Sequence, residues 1–302
     1  MNLLVIIVTY NGMSWLPRSL ESAFKQSVAL DVFVVDNMST DGTPEYIKSH
    51  FKNVLLIEAK KNLGFGAANN LGLEYARTAN YDFVFLQNQD VYLGDNTIER
   101  LLEIHRLNPK FGVISPMQLN GNGTALDQNF KENFENLANC SPFESPGNPS
   151  KEDISIYKVR FVMAAMWLIS RDCFIKVGNF DSIFFHYGED NDYLNRVHFH
   201  GFDVGVVSNA LGCHDRTYRM ISDLKKLEID FAGLLAILTD PNSTLIINYL
   251  KVFKRAFILL IESIKKKNRV VSKATIYNTY HLALNLKKII RSRKRNARPF
   301  SN

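Results

Sequence analysis

Residues 31–45 read Asp31-Val32-Phe33-Val34-Val35-Asp36-Asn37-Met38-Ser39-Thr40-Asp41-Gly42-Thr43-Pro44-Glu45. Four β-branched or aromatic residues in a row, with no polar partner alternating among them, are the pattern of a strand buried on both faces. The run stops at Asp36 in carboxylates, amides and hydroxyls. Thr43-Pro44-Glu45 then opens a helix, because a first helical turn tolerates the N–H that proline lacks. Strand, polar loop and helix form the unit from which α/β sheets are wound.

The unit recurs on both sides. Short apolar runs lie at 3–8, 54–57, 82–86 and 112–115. Helical stretches at 14–26, 67–79 and 96–107 separate them, the first carrying Trp15, Leu16, Leu20, Ala23 and Phe24 near helical spacing. This alternation predicts an α/β fold with a doubly wound, mostly parallel central sheet, whose ligands bind beyond the carboxyl ends of the strands. Those ends are Thr9-Tyr10-Asn11-Gly12, then Asp36 to Thr43, then Lys60-Lys61-Asn62-Leu63-Gly64-Phe65-Gly66 with Asn69 and Asn70 beyond, and Gln87-Asn88-Gln89-Asp90. Turn and cap chemistry explains any one of these loops. Four on one rim make a site.

The rim carries no Walker A sequence and no GxGxxG, and the chain lacks HExxH, GxSxG and paired CxxC. Any phosphate handling therefore falls to something else, for which a carboxylate-bound divalent cation is the natural candidate. Across 302 residues, 46% hydrophobic and 22% charged composition excludes a disordered or collagen-like chain. Cys140, Cys173 and Cys213 are too few and too scattered for a disulfide framework or structural zinc site, which points to a reducing compartment. The N-terminal run reads as a strand and not a signal peptide, and no run is long enough to span a membrane, so a cytoplasmic location is expected. Charge is uneven. Residues 251–298 hold fifteen Lys/Arg against Glu262 alone, leaving 21 basic and 29 acidic groups elsewhere. A basic tail on an acidic body suits a polyanionic partner.

With these pieces in order the sequence resembles family 2 glycosyltransferases of the GT-A fold, most closely a rhamnosyltransferase-like bacterial group. The resemblance rests on Val8-Thr9-Tyr10-Asn11, Val34-Val35-Asp36-Asn37 through Thr43, Asn62-Leu63-Gly64-Phe65 with Asn69, and Asn88-Gln89-Asp90. Downstream come Val177-Gly178-Asn179-Phe180-Asp181, then Phe184-Phe185-His186-Tyr187-Gly188-Glu189-Asp190-Asn191-Asp192, then His214. Together the blocks span residues 3–216.

The resemblance implies an enzyme that moves a sugar from a nucleotide diphosphate onto an acceptor hydroxyl with inversion. Tyr10 and Asp36 would hold base and ribose, Thr9 and Asn11 would shape the first loop, and Asn62 and Asn69 would line the donor pocket. Asn88-Gln89-Asp90 stands where the family has Asp-x-Asp, so Asp90 would bind Mn2+ or Mg2+ with Asn88 beside it and His214 as a further ligand. The first acid of that motif is an amide here, which leaves a weaker, substrate-assisted metal site. Asp190 would be the general base, with Glu189 and Tyr187 on the acceptor side. The plainer reading of Glu189, Asp190 and Asp192 is a helix first turn, with Asp192–Arg196 as an i,i+4 ion pair.

The expected organisation is a catalytic domain over 1–220 and a basic helical extension over 221–302. Residues 116–158 read as an irregular segment suited to acceptor selection. In the extension, Phe253, Ala256, Phe257, Leu260, Ile261 and Ile264 fall on one helical face among lysines. Ile276, Tyr277, Tyr280, Leu284, Ile289 and Ile290 form a second apolar set. These faces predict contact with an anionic inner-membrane surface, or packing on the body or in a homo-oligomer. The implied donors are dTDP-rhamnose or a UDP-hexose, and the acceptor a glycan or lipid-linked glycan. A catalytically degenerate partner subunit and a nucleic-acid-binding module are the alternatives. The chain has no nucleic-acid-binding motif, and its acidic body argues against the second.

Overall fold

The computed structural model describes residues 1–138, 156–216 and 221–300. Nine strands form one sheet: β1 (Leu3–Thr9), β2 (Asp31–Asp36), β3 (Val54–Glu58), β4 (Phe83–Asn88), β5 (Val91–Leu93), β6 (Phe111–Asn120), β7 (Ile156–Val159), β8 (Met166–Ser170) and β9 (Asp203–His214). Their order is β3-β2-β1-β4-β8-β6-β9-β5, with β7 also on β9. The first half is parallel as expected, β1 pairing with both β2 and β4 and β2 with β3. Beyond β4 the sheet is mixed, because β8 runs antiparallel to β4 and β6 while β9 returns parallel to β6.

Helices cover both faces. On one lie α1 (Leu16–Phe24), α2 (Thr43–His50) and α4 (Thr97–Leu107), which bury Leu16, Leu20, Ile47, Ile98 and Leu101 against Leu3, Val5 and Ile7. On the other lie α3 (Phe65–Thr78), α5 (Gln128–Ala138), α6 (Arg171–Val177) and α7 (Glu189–Phe199), meeting Leu4, Ile6, Phe33 and Val35. Alternate residues of β1 thus enter two different cores. That is why its sequence is apolar without interruption.

The segment expected to be irregular is largely ordered where it is described. Residues 116–120 continue β6, 128–138 form α5 and 156–159 form β7, while 139–155 lie outside the described residues. The misreading has a physical cause. β6 buries Ser115, Pro116 and Gln118, and the Gln118 Nε2 donates to the Ser115 hydroxyl and the Met163 carbonyl. Its register slips between Pro116 and Met117, the kind of bulge at which a strand accommodates proline.

The extension comprises α8 (Asp223–Thr239), α9 (Leu245–Lys265), α10 (Arg269–Leu284) and α11 (Leu286–Asn296). It has its own core of Leu227, Phe231, Leu234, Leu238, Val252, Ala256, Leu259 and Ile289. The expected apolar face of α9 is rotated. Its buried stripe is Asn248, Val252, Ala256, Leu259 and Ser263, while Phe253 and Phe257 are 50% and 62% exposed and Ile264 is exposed too. The body nevertheless holds the extension firmly. Asp181 receives Arg295, Ser292 and Asn296 of α11, and Asp192 of α7 accepts from Thr239 of α8 and Asn296. Among the described residues no helix is long and apolar enough to cross a membrane.

Candidate active site

The rim is assembled by hydrogen bonds between loops. Asn11, at φ 49°, donates its N–H to Ser39 Oγ (2.8 Å) and accepts from the Thr40 N–H (2.8 Å), joining the loops after β1 and β2. Gln89 Oε1 accepts from Thr9 Oγ1 and from the Tyr10 N–H, both at 2.8 Å. Thr9 is therefore fully buried and shapes its loop without reaching outward, whereas Tyr10 stands exposed. Asp36 is 2% exposed. Its Oδ2 accepts from the Ser39 N–H at 2.9 Å, and its Oδ1 is buried with no partner among the described residues. An unpartnered buried carboxylate oxygen is costly, and beside an open rim it suits a donor brought by a ligand.

The loop after β3 sits at the centre. The Asn37 amide accepts from the Leu63 N–H (3.1 Å) and donates to the Gly64 carbonyl (3.3 Å). Asn62 accepts from the Gly64 N–H (2.9 Å), holding a turn in which Gly64 has φ 81°. A Cβ on Gly64 would collide with the Phe185 carbonyl, so only glycine fits there. Asn69 is buried and donates to Phe65 of its own helix, so its side chain does not open onto the rim. Asn37 and Gln89 carry much of this geometry, and no role was expected for either. Their signal was an amide immediately after a buried strand, indistinguishable in sequence from ordinary turn chemistry.

β4 ends at Asn88, and β5 turns back to pair with β9, with Val91 opposite His214. That register brings His214 Nε2 to 3.3 Å from Asp90 Oδ1. Arg216 Nε donates to His214 Nδ1 at 3.2 Å, so the imidazole carries its proton on Nε2, toward Asp90. The Asn88 side chain is half-buried beside them. Among the described residues no three His, Cys, Asp or Glu side chains cluster as a metal site. The pair fits a cation that brings most of its ligands with it, as Mg2+ does on phosphates.

Across the Gly64–Phe185 contact the chain turns through two left-handed residues, Tyr187 (φ 66°) and Gly188 (φ 80°), into α7. Tyr187 is half-buried. Glu189 is buried, with Oε2 lacking a partner among the described residues. Burial, and then the adjacent Asp190 charge, push its carboxyl up to about 7. Asp190 is half-buried and is also raised by desolvation, against the opposing pull of N–H donors from Asn191 and Ala164. Asp192 behaves as the plain reading foresaw: it is fully buried and ion-paired with Arg196 at 2.9 Å.

Comparison with known proteins gives the family and the fold. The profile "Glycosyl transferase family 2" matches residues 4–178, more than half of the chain. The N-acetylglucosaminyl-diphospho-decaprenol L-rhamnosyltransferase of Mycobacterium tuberculosis is 29% identical over 236 residues, covering 71% of this chain and 76% of the relative. An uncharacterized glycosyltransferase of Rickettsia prowazekii is 25% identical over 288 residues, 93% of this chain and 83% of its own length. Among solved structures, S. aureus TarS 1–349 in complex with UDP-GlcNAc superposes with a TM-score of 0.61 at 17% identity, covering 97% of this chain and 81% of that one. GalNAc-T7 with UDP, GalNAc and Mn2+ gives 0.55 at 17% identity over 72% of this chain and 43% of that one. The fold is therefore GT-A, the chemistry is glycosyl transfer from a nucleotide sugar, and the chain belongs to glycosyltransferase family 2.

Proposed function

We propose that the chain transfers a sugar, with inversion, from dTDP-rhamnose or a UDP-hexose to a hydroxyl of a lipid-linked glycan, with Asp190 as general base. The observation that carries this reading is the loop at Gly64. It is tied to Asn37 beside Asp36 on one side and abuts Phe185, ahead of Asp190, on the other. A donor whose base reaches Asp36 then extends its sugar toward Asp190 across a single loop. Uracil and thymine each carry an imide N–H that suits the unpartnered Asp36 Oδ1.

In the reaction the anomeric C–O bond to the diphosphate breaks as the acceptor oxygen attacks from the opposite face. Asp190 takes the acceptor proton as that bond forms, and Glu189 and Tyr187 flank the acceptor. Asp90 would hold a divalent cation, whose chemistry when bound is electrostatic stabilisation of the leaving diphosphate. His214 orients Asp90 through its Nε2–H. To hold the cation beside Asp90, His214 would carry its proton on Nδ1 in place of the Arg216 contact, leaving Nε2 free as the ligand.

The test is binding of UDP-, dTDP- and GDP-sugars with and without Mn2+. One nucleotide class is expected to bind, tightened by the cation. Asp90→Ala should abolish the cation's contribution, and Asp36→Ala should weaken binding by roughly 10–100-fold, as loss of a buried charged hydrogen bond does. Binding without turnover would leave a degenerate subunit as the better reading, and absence of binding to any of them would overturn the transferase reading.

For the acceptor side we propose that α9 and α10 rest on an anionic inner-membrane surface. Ile246, Leu250, Phe253, Phe257 and Ile264 are exposed along α9, with Lys251, Lys254, Arg255 and Lys265 around them, and Ile276, Tyr277 and Tyr280 are exposed on α10. A second copy docked on the same face would meet like charge, whereas anionic lipid gains about 1 kcal/mol for each Lys or Arg near the surface. Phe253→Ser with Phe257→Ser should release the chain from phosphatidylglycerol vesicles in co-sedimentation. An unchanged bound fraction, or a dimer lost in these variants, would refute it.

A further inference from the structure

Away from the rim, a cavity of about 670 Å³ opens between α11 and the 177–182 segment that leads toward α7. That volume lies within the usual range of small-molecule sites. Its lining holds five cationic side chains, Arg196, Arg291, Lys294, Arg295 and Arg298, and one acid, Asp181. Asp181 is already saturated: it accepts from the Ile183 N–H, Ser292 and Asn296, and pairs with Arg295. Arg196 is balanced by Asp192. Arg291, Lys294 and Arg298 therefore face the cavity without a side-chain hydrogen bond or ion pair among the described residues.

Basic residues in the last turn of α11 complement its helix dipole, and this accounts for Lys294 and Arg295 in part. It does not account for Arg196. That residue is 2% exposed, its Nε is held by Asp192 and its Nη1 by the Val177 carbonyl, yet Nη2 is buried and unpartnered among the described residues. A guanidinium N–H buried in a cavity wall without an acceptor is a donor waiting for a ligand oxygen. Phe180 and Phe300 add aromatic wall, so the cavity has room for an organic group as well as for charge.

We infer that this cavity binds a phosphate-bearing polyanion of the diphosphate class, at a site separate from the donor rim. Three uncompensated cations match the two to three charges of a diphosphate near neutral pH. None of the expected donor, metal or base residues lines the cavity, so the site stands or falls independently of the transfer chemistry. The same phosphate chemistry could come from a soluble molecule or from a lipid headgroup.

The probe is inorganic diphosphate, titrated calorimetrically into the full chain in EDTA at 150 mM salt. EDTA prevents cation-assisted binding at Asp90, and the salt screens diffuse attraction. Saturable binding is expected, weakened on the order of tenfold or more in Arg291→Ala/Lys294→Ala/Arg298→Ala. These three side chains make no intramolecular bonds among the described residues, so that variant should fold. Lys251→Ala/Lys254→Ala on α9 removes charge elsewhere and should bind as wild type does. Monomeric dihexanoyl phosphatidylglycerol is the second arm. Competition with diphosphate would identify a headgroup as the source, and failure to compete, with diphosphate still bound, a soluble anion. No binding of either probe, or equal weakening in the α9 control, would overturn the site.

Discussion

Asp190→Asn is expected to cut turnover by roughly 10²–10⁴-fold, the usual worth of a positioned general base, while leaving nucleotide-sugar binding intact. An acceptor hydroxyl is too weakly acidic to attack unaided, so removal of the proton acceptor raises the barrier directly. Asn keeps the size and the oxygen that accepts from Asn191, so the first turn of α7 should persist. Asp190 suits the task because burial raises its carboxyl toward neutrality, which makes the carboxylate a better base than one free in water. Single-turnover kinetics with calorimetric donor binding would separate the two effects. Wild-type turnover in the variant would remove Asp190 from the chemistry. Loss of donor binding would make it a binding residue instead.

Much of this site was legible in the chain because buried parallel strands announce themselves. Uninterrupted runs such as Val32–Val35 locate strand ends, and topology then delivers Tyr10, Asp36 and Asp90 to one rim. Residues whose work is mutual were not legible. Asn37 and Gln89 hold loops twenty-six to eighty positions away, and nothing local marks them. The same holds for β6, where buried Gln118 donates to Ser115 and polar side chains and a proline disguise a strand as a loop. The α9 face failed for another reason. Periodicity placed one apolar face on α9 about Phe253 and Phe257, and packing against α8 and α10 covers the neighbouring stripe of Val252, Ala256 and Leu259 instead.

Asp181 and Asp192 illustrate a further limit. Both belong to the blocks that carry the family resemblance, and the i,i+4 pairing with Arg196 expected for Asp192 is only part of what it does. In the fold they anchor the extension, through Arg295, Ser292, Asn296 and Thr239, and so brace the helix whose first turn presents Asp190. The boundary expected near residue 220 is thus crossed by buried hydrogen bonds. The extension is packed on the helix that carries the proposed base.

Glu189→Gln should stabilise the protein above pH 7 and leave it little changed at pH 4. The carboxyl stands at about 7 when folded, against an ordinary value of 4.5. Below 4.5 both states are protonated, and the group adds no pH dependence. Between 4.5 and 7 the unfolded chain ionises while the folded one holds its proton, so stability falls as pH rises. Above 7 both are ionised and the full cost remains, up to about 3 kcal/mol at 1.36 kcal/mol per pKa unit. Gln removes the charge but still buries an amide at the unpartnered Oε2 position, so the measured gain should fall somewhat below that bound. Part of the rise to about 7 comes from the charge of the adjacent Asp190. Asp190→Asn should accordingly lower the Glu189 pKa and shift the stability loss to lower pH, whereas Glu189→Gln should erase it. Denaturant titrations of the three proteins from pH 4 to 8 would decide the matter. Parallel stability curves for wild type and Glu189→Gln would mean that Glu189 is not held protonated, and that the base works beside a second full charge.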